Sequence, residues 1–145
     1  MNDLLELYDF AEREGIQVDC FELQKRKALS IMDASDGKCY IAIDPMKLSS
    51  SREEKVILAH EEGHCATGSF YSKYASCDIR QKHENRADKW AIMQLIPFHE
   101  LRRAILLGNT EVWSLADHFD VPEDFMKKAI CWYMFGNLAV DLYFK

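Results

Sequence analysis

The sequence predicts an α+β fold: a small N-terminal antiparallel sheet followed by a mostly helical remainder. Three observations carry this. β-like runs are confined to residues 16–43. An Asp36-Gly37 pair, a strong hairpin turn signal, separates two of those runs. From Ser50 onward the chain reads as a succession of helical segments broken by Gly and Pro.

Taken in order, residues 3–14 read as a helix, because Leu4, Leu5, Tyr8 and Ala11 recur at helical spacing and Gly15 ends it. Ile16 to Leu23 alternates apolar and polar over part of its length, as a half-buried strand does. Ala28 to Met32 and Cys39 to Ile43 are two further short strands, and Asp44-Pro45 breaks the last one. Ser50-x-x-Glu53 and Ser51-x-x-Glu54 are alternative capping boxes for a helix over about 52–67, with Gly68 beyond its end. The segment 69–80 lacks periodicity and reads as a loop. A strong helix follows over about 81–95 and stops before Pro97. Shorter helices are expected over 98–107 and 110–119, and a last long one from Pro122 towards Gly136.

A chain of 145 residues suits one domain, here 1–145, with about 110–145 forming a helical tail packed on it. With 48% hydrophobic and 29% charged residues, disorder is not indicated. The net charge of −6 argues against nucleic acid, whose phosphates are bound mainly by Lys and Arg. The densest basic run, Lys25-Arg26-Lys27, is three residues long and reads as a solvated turn or strand end. No apolar run approaches a membrane span, and the start Met1 to Glu6 is acidic where a secretory signal is basic. A cytoplasmic protein without membrane contact is expected. The five cysteines form no C-x-x-C pair, so a zinc ribbon is unsupported and most read as small buried residues.

The chemistry lies in His60-Glu61-Glu62-Gly63-His64, an H-E-x-x-H pattern within a predicted helix. Four residues of helix bring His60 and His64 one above the other, so both imidazoles can reach one ion. Glu61 can contact a water on that ion without ligating it. Glu62 points away from the pair and reads as solvent-facing or structural. A chain of this composition carries the pattern by chance about once in seventy, so its context matters. That context is a buried-looking helix, whose ionisable groups need partners. A catalytic zinc takes three protein ligands and an open position. Glu84 is the chosen third ligand, because Ala87 and Ala91 on its face permit close helix approach. His83 and Asp78 are rivals. Asp88, one turn beyond Glu84, is placed to hold a histidine ring.

Together these residues resemble the ImmA/IrrE family of zinc metallopeptidases. The matching residues are His60-Glu61-x-Gly63-His64, then Glu84-x-x-Ala87-Asp88-x-Trp90-Ala91 and Leu95-Ile96-Pro97; Leu115 to Pro122 is similar to the family's small helical tail. The likeness spans about residues 40–130 and departs at Glu62, where an apolar residue is more usual. The resemblance implies a minimal zincin-like, gluzincin-type domain with Glu84 as third ligand. It also implies a cytoplasmic endopeptidase acting on a regulatory protein, in several relatives a helix-turn-helix repressor of a phage or integrative element.

The expected mechanism has Glu61 as general base on a zinc-activated water, with Tyr71, Tyr74 or His83 as candidates to stabilise the oxyanion. The alternative is a non-catalytic zinc-containing module that sequesters a regulator; a fourth ligand from Cys65, His83 or Asp78 would favour it. A third possibility, that the helices around Val121-Pro122 read DNA, conflicts with the acidic balance.

Overall fold

The computed structural model describes residues 3–144; Met1, Asn2 and Lys145, and with them part of the acidic start, lie outside the described residues. The chain opens with α1 (Leu4–Arg13), then β1 (Gln17–Cys20), β2 (Ala28–Met32) and β3 (Cys39–Ile43). A short 3-10 turn at Pro45–Lys47 leads to α2 (Ser51–Thr67) and α3 (Cys77–Leu95). Four further helices follow: α4 (Phe98–Leu106), α5 (Val112–Phe119), α6 (Glu123–Phe135) and α7 (Val140–Tyr143). The α+β architecture is as the sequence predicts.

The sheet is not purely antiparallel. Its order is β1-β3-β2, with β2 antiparallel to β3 and β1 parallel to it. The turn at 33–38 closes the β2–β3 hairpin, through Asp33 N–H to Lys38 O and Gly37 N–H to Asp33 O. Residues 21–27 instead carry the chain past β3 to the far edge. Buried Asp44 fixes this crossing: its carboxylate accepts the Leu23 N–H at 3.0 Å, and its own N–H donates to Lys27 O. Two strands on either side of β3, joined by a crossing rather than a tight turn, end up one parallel and one antiparallel.

β3 alternates as a central strand should, with Cys39, Ile41 and Ile43 buried. Ile41 and Ile43 meet Leu58 and Ala59 of α2, and Ala91, Ile92 and Leu95 of α3, in one core. The same core takes in Leu115, Phe119, Val121, Phe125, Met126 and Ala129, so α5 and α6 pack onto it. Each fully buried Leu or Ile contributes about 1.5–3 kcal/mol. The first turn of α6 carries Glu123 and Asp124. Among the described residues no helix is long and apolar enough to cross a membrane.

Ser50 caps α2: its hydroxyl accepts the Glu53 N–H at 3.2 Å, a cap worth about 1 kcal/mol, while the Glu53 carboxylate takes the Ser49 hydroxyl and Lys27. α3 begins earlier than expected. Ser76 caps it through the Ile79 N–H, so Cys77–Arg80 is helical rather than loop and Glu84 lies two turns inside the helix. The polar first turns of α3 hid that start. Glu62 is fully buried, not solvent-facing, because the face of α2 opposite the histidine pair is covered by α1. Of the cysteines, Cys39 and Cys131 are buried, whereas Cys20 and Cys77 are exposed.

Candidate metal centre

His60 and His64 sit one turn apart on α2, and Glu84 faces them from α3. Close helix contact makes this possible. Gly63 of α2 lies directly against the backbone of Ala87 in α3, and Ala87 and Ala91 are both fully buried between them. The result is three candidate ligand atoms at one point. His60 Nε2 is 2.8 Å and His64 Nε2 2.9 Å from the same oxygen, Glu84 Oε2, and the two nitrogens are 3.2 Å apart. Ligands at about 2.0–2.1 Å from a tetrahedral ion stand roughly 3.3 Å from each other, close to what is seen.

The outer nitrogens fix how the rings present themselves. His64 Nδ1 contacts the Ser69 carbonyl at 2.5 Å. A carbonyl only accepts, so Nδ1 carries the proton and, in the neutral ring, Nε2 presents a lone pair. His60 Nδ1 contacts Asp88 Oδ1 at 2.7 Å, with the same consequence. Two lone pairs and a carboxylate oxygen therefore converge. They repel one another unless a proton or a cation joins them, and a donor set of two imidazoles and one carboxylate fits zinc.

The electrostatics say the same. Burial disfavours a charged His60, but Asp88 and Glu84 outweigh it and push the ring up to about 10. Glu84 is held well below the usual carboxylate range by its contacts with the His60 and His64 rings, with the Tyr71 hydroxyl donating to Oε1 at 2.8 Å. Burial raises Asp88, yet His60 and then Lys128, 3.2 Å away, bring it below its ordinary value. The site demands positive charge.

Ser69 reaches His64 because α2 ends on Gly68. At φ 68° this residue is in the left-handed region, where glycine avoids the Cβ penalty. The reversal returns the buried Ser69 to the helix end, where its N–H donates to His64 O. Thr67 supports the turn with a hydroxyl bond to Gly63 O and a short contact to the Ser69 hydroxyl.

His60, His64 and Glu84 form the cluster with metal-binding geometry among the described residues. Asp88 holds His60 rather than His64. Glu61 is not a ligand; it lines both clefts that open on the centre, and Arg26 and Glu84 are common to them too. The rivals fall away. Asp78 is exposed in the first turn of α3. His83 lies with its ring 6.0 Å from that of Tyr71, outside the cluster. Cys65 is raised by burial and by its neighbour Cys39, also outside it. Tyr74 is 83% exposed, and Tyr71 is committed to Glu84. The sequence did not point to Ser69, Lys128 or Arg26. Only the glycine at 68 hinted that the chain turns back on α2; a backbone carbonyl has no side-chain signature.

Asp88→Asn is expected to lower the affinity of this cluster for a metal ion about 10- to 100-fold, since the carboxylate behind a candidate ligand histidine sets its basicity and orientation. Competition with a chelator measures it, and an unchanged affinity would show that Asp88 does not tune His60. Compared with profiles of known protein families and with curated proteins, the chain matches none.

Proposed function

We propose that this protein is a zinc-dependent endopeptidase of the ImmA/IrrE type, acting on a regulatory protein such as a helix-turn-helix repressor of a phage or mobile element. The observation that carries the reading is the convergence of His60 Nε2, His64 Nε2 and Glu84 Oε2, with Glu61 in the same clefts. Three protein ligands are the catalytic pattern, since structural zinc usually has four. Cys65, His83 and Asp78 stand outside the cluster, which weighs against the non-catalytic sequestering module.

When bound, zinc supplies a Lewis acid that polarises a carbonyl and brings the pKa of water to about 7. Asp88 and the Ser69 carbonyl keep the two rings turned with Nε2 inward. Tyr71 holds Glu84 from its other oxygen. Glu61 takes the proton of the attacking water on its carboxylate and returns it to the leaving amine nitrogen. The clefts on either side receive the peptide.

The test is metal content by mass spectrometry of the purified chain beside His60→Ala and Glu84→Ala. One zinc per chain, lost in both variants, is expected; metal unaffected by either change would sink the reading. Glu61→Gln is then expected to keep zinc and slow cleavage of a substrate regulator by at least about a hundredfold. Cleavage at the wild-type rate would remove Glu61 from the mechanism.

A further inference from the structure

The two clefts that flank the centre differ in charge. One is bordered by Lys27, Lys128 and Asp124, and its lysines are already paired: Lys27 with Glu53 at 2.8 Å and Lys128 with Asp88 at 3.2 Å. Arg26, from the segment before β2, borders both clefts, and the second adds Lys73 from the loop between α2 and α3. Among the described residues neither of these makes an ion pair. Lys73 Nζ lies 5.0 Å from the Tyr74 ring centroid, a contact that leaves its charge uncompensated.

The acids of this second cleft are Glu61 and Glu84. Glu84 is engaged at both oxygens, by the two rings and by Tyr71. A divalent ion at the centre offsets the charge of both acids and leaves the cations in excess. Arg26 stands beside the centre, lining both clefts together with Glu61 and Glu84. Among the described residues no carboxylate is paired with its guanidinium, whose five N–H donors can meet a ligand. Leu29, Ile31 and Phe70 give the cleft an apolar wall, which strengthens a charge pair formed against it.

We propose that this cleft is a specificity subsite for a carboxylate of the peptide substrate, with Arg26 as the principal donor and Lys73 as the second cation. The carboxylate comes from an Asp or Glu side chain or from the chain's C-terminus. A guanidinium suits it because its planar fork matches a carboxylate with two parallel hydrogen bonds. The inference rests on the peptidase reading above.

The test is calorimetric binding of three short peptide hydroxamates to the zinc-loaded full chain. One probe is C-terminally amidated with Asn in the position nearest the hydroxamate. The second is amidated with Asp there. The third has Asn and a free C-terminal carboxylate. The hydroxamate anchors each probe on the ion, so no turnover is needed. One acidic probe is expected to bind roughly tenfold tighter than the neutral one, as a charge-assisted hydrogen bond allows. Which one does so separates a side-chain from a terminal carboxylate. In Arg26→Ala the ratio should fall to about one, with Arg26→Lys between. Equal affinity of all three probes in the wild type overturns the subsite and leaves the metal centre standing. A ratio that survives Arg26→Ala overturns the role of Arg26. If zinc is held but the neutral probe does not bind, the open centre and the subsite fall together.

Discussion

Gly63→Ala is expected to destabilise the protein by about 2–3 kcal/mol and to weaken metal binding at the candidate centre in the same step. The sign is the unusual part. Gly63 lies in the interior of α2, where alanine ordinarily improves a helix by about 1 kcal/mol. Here a Cβ would stand 2.6 Å from the Ala87 carbonyl oxygen, 3.1 Å from its Cα and 3.2 Å from its carbonyl carbon. All three are backbone atoms of α3, and no rotamer change moves them away. The two helices must separate. His60 and His64 ride on one and Glu84, a turn before Ala87, on the other, so separation opens the 2.8 and 2.9 Å contacts that define the cluster. For a chain of this size the melting temperature should fall by roughly 6–12 °C, and chelator competition should show weaker zinc. Adding Ala87→Gly should not rescue the variant, because the colliding atoms belong to the backbone. A melting temperature at or above wild type, with unchanged zinc affinity, would mean that the helices are not held at this distance by the glycine.

This contact also explains why so much of the centre was legible in the sequence. The spacing of His60 and His64 needs only a helix, and the Ser50–Glu53 cap announces one. Gly63, Ala87 and Ala91 mark the faces on which two helices can approach. The Asp36-Gly37 signal in the same way fixed the β2–β3 hairpin. What was not legible depends on groups that carry no local pattern. The parallel pairing of β1 follows from a crossing tied by the Asp44 carboxylate, and alternation within β1 does not tell which edge of β3 it takes. The start of α3 rests on Ser76 ahead of polar turns with no apolar stripe. The bond that orients His64 comes from a main-chain carbonyl. Arg26 belongs to a three-residue basic run that looks solvated until the fold sets it between two clefts. The placing of Glu62 was half readable: helical spacing does turn it away from the histidines, but nothing local says that α1 covers that side.

Glu62→Leu is the companion expectation, and it should stabilise the protein at pH 8 by about 4 kcal/mol more than at pH 4. Both carboxylate oxygens of Glu62 are buried without a hydrogen-bond partner, and burial raises its pKa from 4.5 to about 8. Below pH 4.5 the group is protonated in folded and unfolded chains alike, and titration contributes nothing to the difference. From there to pH 8 the unfolded chain releases the proton while the folded chain keeps it, so wild-type stability is lost at about 1.4 kcal/mol per pH unit. Above pH 8 the loss is complete, because the folded group ionises as well. Leucine does not titrate and escapes the whole slope; any gain from removing an unpartnered polar group adds a constant at every pH. Urea unfolding of chelator-treated wild type and variant at the two pH values measures the difference, with bound metal removed from both chains. An identical advantage at pH 4 and pH 8 would mean that Glu62 has a partner for its charge. The pH-dependent outcome would establish that the Glu62 carboxyl is held neutral by its burial. Its neighbour Glu61 opens to the two clefts, whereas Glu62 is sealed beneath α1 as an acid that the fold holds neutral against its own stability.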